Sequence, residues 1–113
     1  MKEVPNFFKN EELRGASTAL LPFLNLGRYL SGKAWIISSG LRTKEHNKAV
    51  GGAEDSAHLE GLAVDILCNN ITDLRNFAES ALVAGFWEIG LADDHIHLSI
   101  RKRTKDPILF LEK

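Results

Sequence analysis

The run Leu62-Ala63-Val64-Asp65-Ile66-Leu67 sets a carboxylate in the middle of an otherwise apolar β-strand pattern. Side chains alternate between faces along a strand, so Leu62, Val64 and Ile66 share one face and Ala63, Asp65 and Leu67 the other. A carboxylate there must be paired, hydrogen-bonded or metal-bound, because burying it alone costs several kcal/mol. The fold must therefore bring a cation or donors to the second face of this strand. Further on, His95-Ile96-His97-Leu98-Ser99-Ile100 repeats the alternation, with Ile96, Leu98 and Ile100 on one face and His95, His97 and Ser99 on the other. His58 stands in a glycine-flanked loop just ahead of the Asp65 strand. Taken singly, Asp65 reads equally well as a satisfied buried carboxylate, and the histidine pair as surface residues. Jointly, three of the chain's four histidines fall in segments suited to one cleft. Two imidazoles and one carboxylate around a zinc ion leave the fourth tetrahedral position to water, the pattern of a catalytic metal site.

The 113 residues suit one domain spanning 1–113. With 44% apolar and 26% charged residues the chain sits among globular proteins. Its 14 basic and 15 acidic residues, net charge −1, argue against nucleic-acid binding, which needs a basic surface. The one basic cluster, Arg101-Lys102-Arg103 with Lys105, reads as solvated surface. Cys68 is the single cysteine, which excludes an internal disulfide, and it ends an apolar run like a small buried hydrophobe. Met1 to Asn6 lack an apolar signal-peptide core, and no apolar stretch nears the ~18 residues of a spanning helix. A soluble monomer with no membrane partner is expected, made in the cytoplasm without a signal peptide.

Asn10 can cap a helix, with Glu11 and Glu12 in its first turn. Leu13, Ala16, Leu20, Leu24 and Gly27 recur at three- and four-residue spacing, and Pro22 predicts a break near Leu21. Two short helices are expected, one to Leu20 and one to Gly32. Ala34–Ser38 predicts a first strand and Leu62–Leu67 a second, with a short helix or turn in 42–49. Asn70 or Thr72 opens a helix that Gly85 stops. Phe86–Leu91 and His95–Ile100 predict two more strands joined by Ala92-Asp93-Asp94, and Pro107–Leu111 packs back on the body. Helices followed by short strands predict an α+β domain with a small, mostly antiparallel sheet and flanking helices.

Read with Ser39-Gly40-Leu41-Arg42, Asn47 and Gly51-Gly52, these residues resemble the peptidase M15 group of zinc D-alanyl-D-alanine carboxypeptidases, dipeptidases and L-alanyl-D-glutamate endopeptidases. The group's pattern runs S-G-x-R, an Asn, a Gly-Gly pair, S-x-H-x-x-G-x-A-x-D and later H-x-H. This chain supplies each element in order from Ser39 to His97, most similar to the compact phage and prophage type. The resemblance implies the hedgehog/D-Ala-D-Ala-peptidase-like fold, with Zn2+ held by His58, Asp65 and His97. It places the general base three residues before the last ligand, at Asp94, with the adjacent Asp93 either the alternative base or a turn residue. His95 would sit beside the metal and assist catalysis. Arg42 would act on the developing oxyanion or grip a substrate carboxylate. Ser56 would contact substrate or support a ligand rather than attack as a nucleophile. Relatives follow the last ligand with a small apolar residue and Asp, where this chain has Leu98-Ser99, making Ser99 the candidate hydrogen-bond acceptor there.

The implied reaction is hydrolysis of a peptide bond in bacterial peptidoglycan, the partner being a stem or cross-link peptide. It would act on the wall after release, in lysis, or within a virion. The alternative from another class is a non-catalytic zinc-binding module acting in protein interaction or virion structure, and a carboxylate near the open metal position speaks for the enzyme. Elsewhere, His46, Glu45 and Glu60 read as exposed, Trp35 as core, Trp87 as core or cleft border, and Asn47 as a partner of loop backbone.

Overall fold

A computed structural model describes residues 3–52 and 56–112. Five strands form one sheet in the order β1-β2-β4-β3-β5, where β1 is Ile37–Ser39, β2 Ala63–Leu67, β3 Glu88–Leu91, β4 His95–Ser99 and β5 Ile108–Leu111. The pairs β1/β2, β2/β4 and β3/β4 are antiparallel, and only β5 runs parallel to its neighbour β3. Helices α1 (Leu21–Ser31) and α3 (Ile71–Ala84) pack on each other and, through α3, on the sheet. The short α2 (Lys44–Ala49) lies in the connection between β1 and β2. This is the α+β architecture that the alternation of helical and strand patterns predicts.

Val64, Ile66, Ile96, Leu98, Ile89 and Ile37 face the helices and are buried with Leu24, Phe77 and Ala81. Tilted aromatic pairs tie the layers together, Trp35 with Phe77 at 5.5 Å and Phe23 with Phe86 at 5.8 Å. The opposite sheet face carries the polar residues. Across it the register aligns Asp65 with His97, His97 with Gly90 and Gly90 with Phe110. One row over four adjacent strands therefore holds a carboxylate, an imidazole, a gap and an aromatic ring.

Several elements depart from their expected bounds. The helix expected from Asn10 to Leu20 is two 3-10 turns, Asn10–Leu13 and Thr18–Leu20, because Arg14 (φ 50°) and Gly15 (φ 80°) turn left-handed between them. Pro22 then stands at the start of α1, where its missing N–H costs nothing. β1 begins at Ile37 rather than Ala34, although the Ile36 carbonyl still accepts from the Leu67 amide at 2.9 Å. Asn70 caps α3 by accepting from the Asp73 amide at 2.8 Å, and Gly85 ends it. The closing apolar segment becomes the edge strand β5.

The basic cluster is not simply solvated. Glu88 is buried on β3, and Arg103 Nε donates to its Oε2 at 2.8 Å while Arg101 Nε lies 3.6 Å from Oε1. Two guanidiniums thus face a buried carboxylate whose desolvation without a partner would cost several kcal/mol. Trp87 belongs to neither core nor cleft: its indole donates to the Thr104 carbonyl and lies under Lys102.

Candidate metal centre

Ser56 opens the 3-10 turn Ala57–Glu60, its hydroxyl accepting from the His58 amide at 3.3 Å, and Gly61 closes it. The turn points the His58 ring into the polar sheet face. There His58 Nδ1 meets the Gly40 carbonyl oxygen at 2.8 Å. With the proton on Nδ1 donated to that carbonyl, Nε2 carries the lone pair. A side chain on Gly40 would not fit, since its Cβ would stand 2.3 Å from the Leu13 carbonyl oxygen. The Arg42 amide completes the clasp, donating to the His58 carbonyl at 3.0 Å.

His58 Nε2 lies 3.0 Å from Asp65 Oδ1 and 3.2 Å from His97 Nδ1, and those two are 3.3 Å apart. All three residues are buried, His58 to 1%, Asp65 to 4% and His97 to 7% exposure. Three atoms that each offer a lone pair face one another across a triangle, which is stable only around a cation, either shared protons or a metal ion. Zinc bonds of about 2.0–2.2 Å in tetrahedral geometry would set neighbouring donors about 3.3–3.6 Å apart, within a few tenths of an ångström of this triangle. Two imidazoles and a carboxylate are donors that zinc takes, so these residues fit the ion.

The other oxygen of Asp65 is also spoken for. Arg42 Nη2 donates to Oδ2 at 3.1 Å, and its Nη1 donates to Asn47 Oδ1 at 3.2 Å. Through its side-chain oxygen Asn47 therefore serves Arg42. Burial pushes the Asp65 carboxyl up, but with protons shared from His58 and His97 in place of a metal ion their hydrogen bonds and charge outweigh it and hold the group well below the usual carboxylate range. Asp65 is ionised at any physiological pH and ready to bind a cation.

His95 follows on the same face of β4. Its Nδ1 meets Asp94 Oδ1 at 2.8 Å and its Nε2 meets Glu112 Oε2 at 2.9 Å. The Glu112 carboxylate raises its pKa most, against desolvation and with help from Asp94, to about 9. At neutral pH the ring is an imidazolium between two carboxylates. Asp94 is 85% exposed, on the solvent side of this pair. Ser99 is buried, and its hydroxyl accepts from the Arg101 amide rather than supporting His97. Phe110 reaches His97 across Gly90, the ring centroids 5.9 Å apart.

The structure thus brings His58, Asp65, His97 and Arg42 into direct contact, sets Ser56 under His58, and leaves Asp94 joined to the centre through His95. Sequence reasoning missed Glu112 and Phe110. Their signal was weak: β5 reads as a generic apolar run, although strand alternation does put Phe110 and Glu112 on one side of it.

The profile of the family described as Peptidase M15 matches residues 7–99, most of the chain. The chain belongs to the peptidase M15 family. No curated protein is similar enough to this M15 chain to count as a match. Among solved structures it is similar to the Serratia marcescens L-Ala D-Glu endopeptidase ChiX, with a TM-score of 0.64 and 22% identity over 82% of this chain and 86% of that one. At that identity the likeness speaks for the fold. The matched residues of this M15 member include all three candidate ligands, Arg42, Ser56, Asp94 and His95, but stop before β5.

Proposed function

We propose that this chain is a zinc-dependent peptidase that hydrolyses a peptide bond in bacterial peptidoglycan, with His58, Asp65 and His97 as the metal ligands. The observation that carries the reading is the buried triangle of His58 Nε2, Asp65 Oδ1 and His97 Nδ1 in a chain of a peptidase family. ChiX, a protein of this fold, is by name an L-Ala D-Glu endopeptidase, and that type stands beside the D-Ala-D-Ala carboxypeptidase as the bond this chain would cut. Held by His58, Asp65 and His97, a zinc ion would supply a coordinated water with a pKa of about 7 and a Lewis acid for the scissile carbonyl.

The protein's own groups have distinct tasks. The Gly40 carbonyl fixes the tautomer of His58 and so keeps Nε2 unprotonated toward the ion. Arg42 holds Asp65 Oδ2, which leaves Oδ1 turned toward the two imidazoles. Its guanidinium keeps its charge at every working pH, so the centre has a permanent positive neighbour for an oxyanion that develops in the transition state. Asn47 and Asp65 take two of the five N–H donors of Arg42, so the fork is only partly used. Asp94 acts as the base that takes the proton of the attacking water, and its tie to His95 Nδ1 fixes the carboxylate in place. His95 holds a proton on each nitrogen and contributes positive charge beside the ligands. Ser56 serves by capping the turn that aims His58.

Digestion of purified peptidoglycan with and without chelator, followed by mass spectrometry of the fragments, tests this. Chelator-sensitive release of peptides with a new terminus within the stem is expected. Protein equilibrated with excess zinc that binds none, or a digest indifferent to chelator, refutes the metal-dependent reaction.

A further inference from the structure

The family match ends at residue 99, yet the strand beyond it closes one side of the candidate centre. β5 enters parallel to β3 with Gly90 opposite Phe110, and the Glu112 amide donates to the Leu91 carbonyl at 2.8 Å, extending the ladder by one residue. This register carries the Glu112 carboxylate to His95 Nε2 at 2.9 Å. One ligand-type atom from each of Asp65, His95 and Glu112 lies within 4.8 Å of the others, so Glu112 is a neighbour of the ligand cluster. Its side chain is 29% exposed, much less than that of Asp94 on the other nitrogen at 85%.

We propose that Glu112 is a positioning residue of this centre: with Asp94 it engages both ring nitrogens of His95 and so fixes that imidazole beside Asp65. An imidazole held at one nitrogen can still swing about χ1 and χ2. Held at both, from β4's own turn on one side and from β5 on the other, it keeps one orientation. Asp94 alone cannot achieve this, because it is adjacent to His95 in sequence and largely solvated. Glu112 acts across the sheet, from a strand anchored by its own ladder and by Phe110 lying over Gly90, whose Cβ would come 2.8 Å from that ring. The arrangement is that of an outer residue orienting a functional imidazole, and loss of such partners typically lowers activity or metal affinity about 10- to 100-fold.

The kinetic arm of the test rests on the peptidase reading, and the spectroscopic arm does not. The full chain is compared with Glu112→Gln and Glu112→Ala, each metal-free and loaded with zinc. In histidine-labelled protein the wild type should show two slowly exchanging ring N–H signals from His95. Glu112→Ala should lose the Nε2–H signal and average the ring carbons, whereas Glu112→Gln, which keeps an acceptor, should retain it. On a stem-peptide substrate Glu112→Ala should lower kcat about tenfold or more, with KM and zinc affinity within about twofold, and Glu112→Gln should recover most of the loss. A persistent Nε2–H signal in a folded Glu112→Ala protein overturns the proposal. So does a kcat within twofold of wild type, or a Gln variant that loses both signal and activity as completely as Ala. If the wild type turns over no peptide, the peptidase reading fails and the ring signals alone decide the role of Glu112.

Discussion

Arg42→Ala removes the cation that holds the outer oxygen of Asp65, and its effect can be worked out from the structure. The pair is 3.1 Å apart with side chains 10% and 6% exposed, so it counts as buried. Breaking such a pair by removing one partner costs about 3–5 kcal/mol, since the remaining charge stays desolvated. Here the lower end applies, about 3 kcal/mol, because His58 and His97 still face Oδ1 at 3.0 and 3.3 Å. The loss should be largest in metal-free protein, where no other described residue compensates Oδ2. In zinc-saturated protein part of it is masked, since the ion itself neutralises the carboxylate and ligand binding adds to stability. Zinc affinity should fall about 10- to 100-fold, or about 1.4–2.7 kcal/mol, as Asp65 gains rotational freedom. Urea unfolding of chelator-treated protein measures the first quantity, and competition with a chromophoric chelator the second. Arg42→Lys should fall between, since one ammonium cannot keep the fork to both Asp65 and Asn47. A metal-free Arg42→Ala protein within about 1 kcal/mol of wild type, with zinc affinity changed less than threefold, refutes the assigned role.

Asp94→Ala should keep its zinc and lose peptidase activity, whereas His58→Ala and Asp65→Ala should lose both, checked by metal analysis and peptide release. Gly90→Ala should destabilise by about 1–3 kcal/mol, because its Cβ lands 2.8 Å from the Phe110 ring and 3.2 Å from His97 Cβ; faster amide exchange in β5 would report the displaced strand. His95 has its pKa raised from 6.5 to about 9, chiefly by Glu112, so its contribution stabilises the metal-free fold fully below pH 6.5 and is lost as pH rises through 9. Urea midpoints of metal-free protein should therefore decline over that window, and the decline should be smaller in Glu112→Gln.

The centre was legible where chemistry breaks a local pattern. Asp65 and His97 announce themselves as polar residues on strands whose other faces are apolar, and the period of two assigns both to one face without knowledge of the partner strands. His58 was visible because its loop directly precedes that strand. What a linear reading could not supply was register: Arg42 on Asp65, Asn47 on Arg42 and Glu112 on His95 are contacts between segments 23, 5 and 17 residues apart, and only the folded sheet brings them together. The apolar spacing from Leu13 to Leu20 misled in another way. It is shared by an α-helix and by a pair of 3-10 turns burying the same side chains, and the left-handed Arg14 decides between them. The basic residues 101–103 read as solvated because their partner, Glu88, looked like an ordinary strand residue until its burial was known.

The N-terminal arm acts as a splint on the three-residue strand β1. Arg14 Nε is bonded to the Ile37 carbonyl, the Arg14 carbonyl to the Leu41 amide, and the backbone between lies against Gly40. The aim of one imidazole is thereby set by a stretch far upstream that lies outside the candidate centre. Exchanging residues 3–16 for the arm of another M15 chain should alter metal retention with every side chain of the candidate centre left intact, so a chimera built on this chain needs its joint downstream of residue 42.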